Sequence, residues 1–196
     1  MERSNRIYIW EWALILVLFG CFAMALWAQK TQADVASELV RLHVLAKDDT
    51  REEQAVKLAV RDEVLAYLEP LLDGVETKAR AQQLLDAHMD EIRAAASTAA
   101  GNRQVAVTLT EEFYPTRDYE SFSLPAGEYT SLRVILAEGE GRNWWCVAYP
   151  PLCTELATEA MDVLSEETEG IITQKDGYVY KFKILELWGE WKAKFQ

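Results

Sequence analysis

Residues 139–153 contain the side chains of this chain that are best suited to chemistry or to recognition. The segment is irregular, because its prolines fix φ and remove backbone donors, and it carries two adjacent indoles. On a strand, adjacent side chains face opposite sides, so we expect one indole to enter the core and its neighbour to lie exposed as an interface anchor. The candidate binding residues are therefore Trp144, Trp145, Arg142, Asn143, Pro150 and Pro151.

Catalytic chemistry has weak support in this sequence. Glu138 and Glu140 beside the indoles are compatible with sugar hydrolysis, but acidic pairs are abundant in so acidic a chain. His43 and His88 fall on different predicted elements, and each is more often a structural histidine than a base. No glycine-rich phosphate loop is present. The sequence predicts no catalytic residues, no cofactor and no metal site.

The amino terminus has the layout of an export signal. Arg3 and Arg6 precede an uncharged apolar run over residues 12–28, which contains a small-x-small site at residues 23–25. The run also sits at the lower length limit of a membrane-spanning helix, so cleavage and anchoring both remain open. The charge asymmetry places the remainder outside the cytoplasm. Cys21 lies inside this run, where an apolar thiol is favoured over a lipidation site.

Two cysteines remain in the exported part, Cys146 and Cys153. In an oxidising compartment such a pair favours a disulfide, and Pro150 and Pro151 can turn the chain between them. Two buried thiols are the alternative reading. A metal site is disfavoured because the two histidines are distant in sequence.

The net charge of −12 makes nucleic acid a poor partner, since phosphate neutralisation dominates affinity for it. Anionic lipid headgroups would also repel the soluble body. A protein or a neutral partner is the better expectation, with membrane contact through the amino-terminal segment if that segment is not cleaved.

Periodicity predicts the elements that position these residues. Residues 38–46 read as a mostly buried strand. A capping box from Thr50 to Glu53 begins a helix that reaches about Leu72, with Pro70 expected to kink or end it near Glu69. Residues 77–96 form a second helix. Strands follow near residues 105–109, 113–114, 122, 129–136 and 144–149, the last two completing a β-meander.

The carboxyl-terminal residues read as a helical stretch over 154–168, a break at Gly170 and a terminal amphipathic helix with tryptophans. The fold class is therefore α+β, with a mostly antiparallel sheet and two or more helices packed on one face, preceded by a signal or anchor helix. The predicted parts are residues 1–28 (signal or anchor), 29–153 (exported α+β domain) and 154–196 (helical extension).

Several segments together resemble the stage II sporulation protein R family, in the order in which that family has them. They cover roughly residues 38–153, and the run over residues 139–153 is the most specific. The segments lie at residues 41–46, 54–62, 113–116, 124–129 and 139–153.

This resemblance implies a developmental signal of endospore-forming bacteria, which acts by binding. Members are exported from the forespore into the intermembrane space, where they are required to activate a membrane aspartic protease, the stage II sporulation GA protein. That protease processes pro-sigma-E. A secreted cell-wall hydrolase and a structural envelope module are the alternatives from other classes. The family offers no catalytic residues to carry over.

Overall fold

The computed structural model describes residues 9–119, 122–152 and 163–173. The helices are α1 (Ile9–Glu38), α2 (Arg51–Leu72), α3 (Lys78–Ala87), α4 (Met89–Ala100) and α5 (Glu166–Thr173). The strands are β1 (Val40–Leu45), β2 (Val105–Tyr114), β3 (Arg117–Asp118), β4 (Ser123–Leu124), β5 (Gly127–Leu136) and β6 (Asn143–Tyr149).

One four-stranded sheet has the order β2-β5-β1-β6. Strand β1 is parallel to β5 and antiparallel to β6, and β2 is antiparallel to β5. The short strands β3 and β4 form a separate antiparallel pair. The predicted α+β class with a mostly antiparallel sheet is confirmed.

The predicted β-meander is wrong, because β1 lies between β5 and β6. Every residue of β1 is buried, which is the pattern of a central strand with both faces covered. The two long apolar strands therefore pair with β1 instead of with each other. Sequence spacing alone does not reveal which strand an early segment will join.

Helices α2 and α4 cover one face of the sheet. Buried residues of α2 recur every four positions along one helix face, namely Val60, Val64, Leu68 and Leu72. They pack in one cluster with Ile92 and Ala96 of α4 and with the even-numbered residues Leu42 and Val44 of β1. This confirms the predicted packing of helices on one face.

The opposite face of the sheet is also covered. A second buried cluster joins Val35 and Leu39, at and just after the end of α1, to Tyr129 of β5, Val147 of β6 and Ile172 of α5. The polar residues of β1, Arg41 and His43, point to this side.

Helix α1 combines two different environments. Its amino-terminal residues are apolar and exposed around the helix, with Phe19 at 70% exposure, and α1 is long and apolar enough to cross a membrane. A cleaved signal and a retained anchor both present such a helix. The carboxyl-terminal end docks on the sheet, where the Gln32 amide donates to the Glu128 carbonyl (3.1 Å) and occupies the space that a Cβ at Gly127 would fill. The helix thus continues past the predicted boundary at residue 28.

One predicted helix has the expected end and the other is divided in two. Helix α2 ends at Leu72, as the sequence predicts, and it passes through Pro70 because Pro70 and Ala66 are both exposed and solvent can reach the carbonyl that loses its partner. The predicted helix over residues 77–96 is instead α3 and α4, which meet at His88. The His88 N–H donates to the carbonyls of Leu84 and Leu85, which closes α3.

Gly170 lies inside α5, so the predicted break there is wrong. Residues 153–162 and 174–196 are outside the described residues. The predicted terminal amphipathic helix therefore stays a prediction.

The predicted capping box forms only in part. The Thr50 hydroxyl accepts the Glu53 N–H (3.4 Å), but Asp48 instead of Glu53 accepts the Thr50 N–H (2.8 Å). The Glu53 carboxylate turns away and accepts two hydrogen bonds from Arg103, at 2.7 and 2.8 Å. A bidentate arginine 50 residues away displaces the local cap, because a charge-assisted fork is the stronger partner.

The Glu53–Arg103 pair predicts a pH-dependent contribution to stability. The Arg103 hydrogen bond lowers the pKa of Glu53 below its ordinary value of about 4.3, so this stabilisation is present above that pH and is lost as the pH falls through the lowered pKa. Glu53→Gln should lower the urea midpoint at neutral pH, with the difference from wild type shrinking at about pH 3.

Glu52→Gln is the matched control, because Glu52 lies 3.3 Å from the same guanidinium but its side chain is 82% exposed. Its effect should be small at both pH values. Equal effects of the two variants would contradict the assignment.

Candidate functional site

The two adjacent indoles lie on opposite faces of β6, as the strand pattern predicts. Trp144 packs against the cluster on the helix side, with the Arg61 guanidinium 4.4 Å from its ring centroid. Trp145 packs on the other side, with Arg117 at 3.8 Å from its ring centroid. Neither indole is exposed, contrary to expectation, because an arginine covers each partly buried ring.

The turn that precedes the indoles is fixed by its neighbours. The Arg142 N–H donates to Asp49 (2.7 Å), and its carbonyl accepts from the buried Lys57 ammonium (3.0 Å). Burial lowers the pKa of Lys57, and the nearby charge of Arg142 adds to this. The Arg142 and Asn143 side chains are exposed, so these two predicted binding residues are accessible on a rigid turn.

The segment after β6 changes direction at Pro150, which follows a cis peptide bond. The Leu152 N–H donates to the Pro150 carbonyl (2.7 Å). Pro150 is buried and Pro151 is half-buried, so this pair is less accessible than Arg142 and Asn143. Cys146 is buried on β6, whereas Cys153 lies outside the described residues.

A buried arginine organises the sheet face on which Trp145 lies. Arg41 of β1 has no solvent exposure, and its guanidinium lies 4.2 Å from the Tyr114 ring centroid and 5.2 Å from that of Tyr129. It donates to the Cys146 carbonyl (3.1 Å) and to the Tyr119 hydroxyl (2.8 Å). We call Arg41 and these three tyrosines the Arg41 cage.

The tyrosines of the Arg41 cage are uncharged. Tyr119 accepts a hydrogen bond from Arg41, and Tyr114 and Tyr129 contact it with their rings. Burial raises the pKa of Tyr119, and it raises those of Tyr114 and Tyr129 more strongly. The Tyr114 hydroxyl lies 2.6 Å from the Ser131 hydroxyl. The Arg41 charge is therefore stabilised by ring faces and neutral oxygens in these contacts, which is an unusual setting for a buried cation.

A second polar group adjoins the cage. His43 Nδ1 lies 2.9 Å from both oxygens of Glu112, and the His43 ring centroid is 5.7 Å from that of Trp145. Arg133 approaches Glu112 at 3.9 Å, and Arg117 covers Trp145. We call these five residues the His43 cluster.

Of these five residues, sequence patterns predicted Trp145 as a binding residue and His43 only as a structural histidine. The available signal was the placement of Arg41 and His43 two residues apart in a strand that is otherwise apolar. Polar side chains inside a buried strand are expected only where they are satisfied by partners or serve a function. Glu112, Arg117 and Arg133 gave no such signal, because charged residues on β-strands commonly face solvent.

The residues considered for catalysis are not brought together. Glu138 and Glu140 are exposed in the turn after β5, and the His88 ring hydrogen-bonds the Tyr67 hydroxyl at 3.1 Å. Within residues 9–119, 122–152 and 163–173, no group of His, Cys, Asp and Glu side chains has the arrangement of a metal site.

The described part of the chain is an α+β domain behind an apolar helix, and its sheet carries partly buried aromatic side chains stacked with arginines. Comparison with known proteins identifies the family. The family model described as stage II sporulation protein R matches residues 36–159. The Stage II sporulation protein R of Bacillus subtilis (strain 168) is 30% identical over 160 residues, which cover 78% of this chain and 71% of that protein. No solved structure matches significantly.

The chain therefore belongs to the stage II sporulation protein R family, which confirms the resemblance found in the sequence. Membership assigns it to sporulation. The matched residues 36–159 contain the whole sheet and both indoles, so the family assignment applies to the domain that carries the candidate site.

The Arg41 cage predicts a large effect of a single substitution. Arg41→Met keeps most of the volume but removes two charge-assisted hydrogen bonds and the ring contacts, so we expect a loss of about 2–4 kcal/mol in the free energy of unfolding. Urea denaturation measures it. The control Arg80→Met, on an exposed position of α3, should stay within about 0.5 kcal/mol. Equal losses would contradict a special role for Arg41.

The disulfide between Cys146 and Cys153 stays a prediction that mass spectrometry can test. Alkylation of the unfolded, unreduced protein should modify Cys21 alone when α1 is retained, and reduction should expose two further sites. A closed loop of this length should contribute about 2–3 kcal/mol by the chain-entropy estimate. Full alkylation of the exported protein before reduction would contradict the bridge.

Proposed function

We propose that this protein is the exported sporulation signal that activates the membrane aspartic protease processing pro-sigma-E, the stage II sporulation GA protein. It acts as a ligand and not as an enzyme. The observation that carries the proposal is the family match, which spans the domain with the candidate site.

Helix α1 supports export. Its exposed apolar length suits either a signal that is cleaved or an anchor that is retained. In either case the α+β domain is delivered from the forespore into the intermembrane space, in reach of a receptor in the opposing membrane. The acidic net charge of −12 keeps the domain from binding nonspecifically to anionic headgroups.

Activation by a ligand requires differential affinity. The protein shifts the protease toward its active arrangement only as far as it binds that state more tightly than the inactive one. A rigid surface suits this role because little ordering entropy is lost on binding. The turn at Arg142 and Asn143 is such a surface, since backbone hydrogen bonds fix it and its side chains are exposed.

Co-expression with the protease and pro-sigma-E in a non-sporulating host tests the proposal. We expect processing only when all three proteins are present. The double variant Arg142→Ala and Asn143→Ala should reduce processing at least several-fold while leaving the thermal midpoint nearly unchanged, because both side chains are exposed. The signal on immunoblots of pro-sigma-E and its product is the measurement.

Arg80→Ala is the matched surface control and should process normally. Trp144→Ala and Trp145→Ala report on the indoles, and their folded yield must be measured alongside because both rings are partly buried. Full processing of pro-sigma-E without this protein would contradict the proposal. Full processing by the Arg142 and Asn143 variant would remove that turn as the contact.

A secreted cell-wall hydrolase is the alternative that the acidic turn raises. Glu138→Gln with Glu140→Gln separates the two ideas, since a ligand retains signalling or loses only affinity whereas a hydrolase loses turnover. If the protein is a structural envelope module, processing of pro-sigma-E should persist without it. The co-expression assay decides between these outcomes as well.

A further inference from the structure

The His43 cluster is a compact group of polar side chains on the sheet face away from α2. The strand register places Arg133 of β5, His43 of β1 and Trp145 of β6 side by side on this face. Glu112 reaches over from β2 to contact His43 and Arg133. Arg117 closes the group by stacking on Trp145.

Two buried nitrogen atoms of the cluster lack hydrogen bonds. The His43 side chain is only 5% exposed, and its Nε2 has no hydrogen-bond partner; the same holds for the buried Nε of Arg133, which lies 3.9 Å from Glu112 without hydrogen-bonding it. Buried polar atoms of this kind are uncommon, and leaving one unpaired is costly. His43 and Arg133 are directly opposite each other on β1 and β5, so a ligand on this face of the sheet would lie beside both side chains.

The cluster also has an excess of positive charge. Burial opposes ionisation of Glu112, but the hydrogen bond to His43 and the charges of His43 and Arg133 lower its pKa, so it stays a carboxylate. Two guanidinium groups against one carboxylate leave one positive charge even when His43 is neutral. This local charge is opposite to the net charge of −12 of the chain.

We propose that the His43 cluster is a binding site for a carboxylate, which is held by Arg133 and Arg117 beside His43 and Trp145. A monoanion matches the single excess charge, whereas a phosphate dianion would meet repulsion from Glu112 that this charge does not offset. Arginine forks fit a carboxylate bidentately, and the His43 ring, which contacts Glu112 through Nδ1, lies beside the site.

Access to the site is from the side of β2 and β5. The Arg133 side chain is 36% exposed and the Glu112 side chain 22% exposed, and Arg117 is exposed as well. A carboxylate can therefore reach the arginines from solvent. The site goes beyond the proposed function, and its binding test needs neither the protease nor pro-sigma-E.

The test uses the full-length protein in detergent micelles with sodium acetate as the probe, at constant pH and ionic strength. The chain has two histidines, so ring nitrogen resonances in proton–nitrogen NMR spectra are readily assigned. We expect a saturable shift of the His43 resonances. His88, which contacts Tyr67, should not move and serves as the internal control. Sodium phosphate should bind more weakly than acetate.

Charge variants make the test specific. Arg133→Gln should weaken acetate binding about tenfold, the loss expected for one charge-assisted hydrogen bond. Glu112→Gln should strengthen it, because the competing carboxylate is removed. Arg93→Gln, on the exposed side of α4, should have no effect. An unchanged His88 resonance shows that each variant is folded.

The carboxylate has two conceivable sources, a polypeptide and a small molecule. Two blocked peptides distinguish them, one with a central glutamate and one with glutamine in its place. Binding of the glutamate peptide but not of the glutamine peptide indicates a polypeptide ligand, whereas binding of acetate alone indicates a small molecule. Either result supports the site. Three results would overturn the proposal. They are a shift of the His43 resonances that rises linearly with acetate concentration, an equal shift of the His88 resonances, and tighter binding of phosphate than of acetate.

Discussion

The buried charge of Arg41 is the constraint on which the arrangement of this protein depends. A guanidinium cannot lose its proton in a protein, so a fully buried one must be surrounded by groups that compensate for lost water. Here tyrosine rings from β2 and β5, the Tyr119 hydroxyl and the Cys146 carbonyl of β6 provide that surrounding. One side chain of the central strand thus fixes the positions of its neighbours.

The same strand separates two chemically different faces. The even-numbered residues of β1 are apolar and pack under α2 and α4, so they contribute hydrophobic burial. Arg41 and His43 point the other way and create a polar interior that needs specific partners. Helix α1 leads directly into β1, so the apolar helix and the strand that organises the core are contiguous in the chain.

This division explains which predictions from the sequence are confirmed. Helical periodicity correctly gave α2, because its buried residues satisfy the pattern by themselves. The placement of Trp144 and Trp145 on opposite faces follows from strand geometry alone. The order of the strands and the covering of each indole by Arg61 or Arg117 depend on contacts between residues far apart in sequence. No local pattern encodes such contacts.

By itself the sequence determined the apolar first helix, the α+β class and the family, because composition, periodicity and one specific segment express these locally. Only the tertiary structure decided that β1 is central, that Glu53 pairs with Arg103 and that His43 meets Glu112. The physical reason is that a buried polar group takes the partner with the best geometry and charge, wherever along the chain that partner lies.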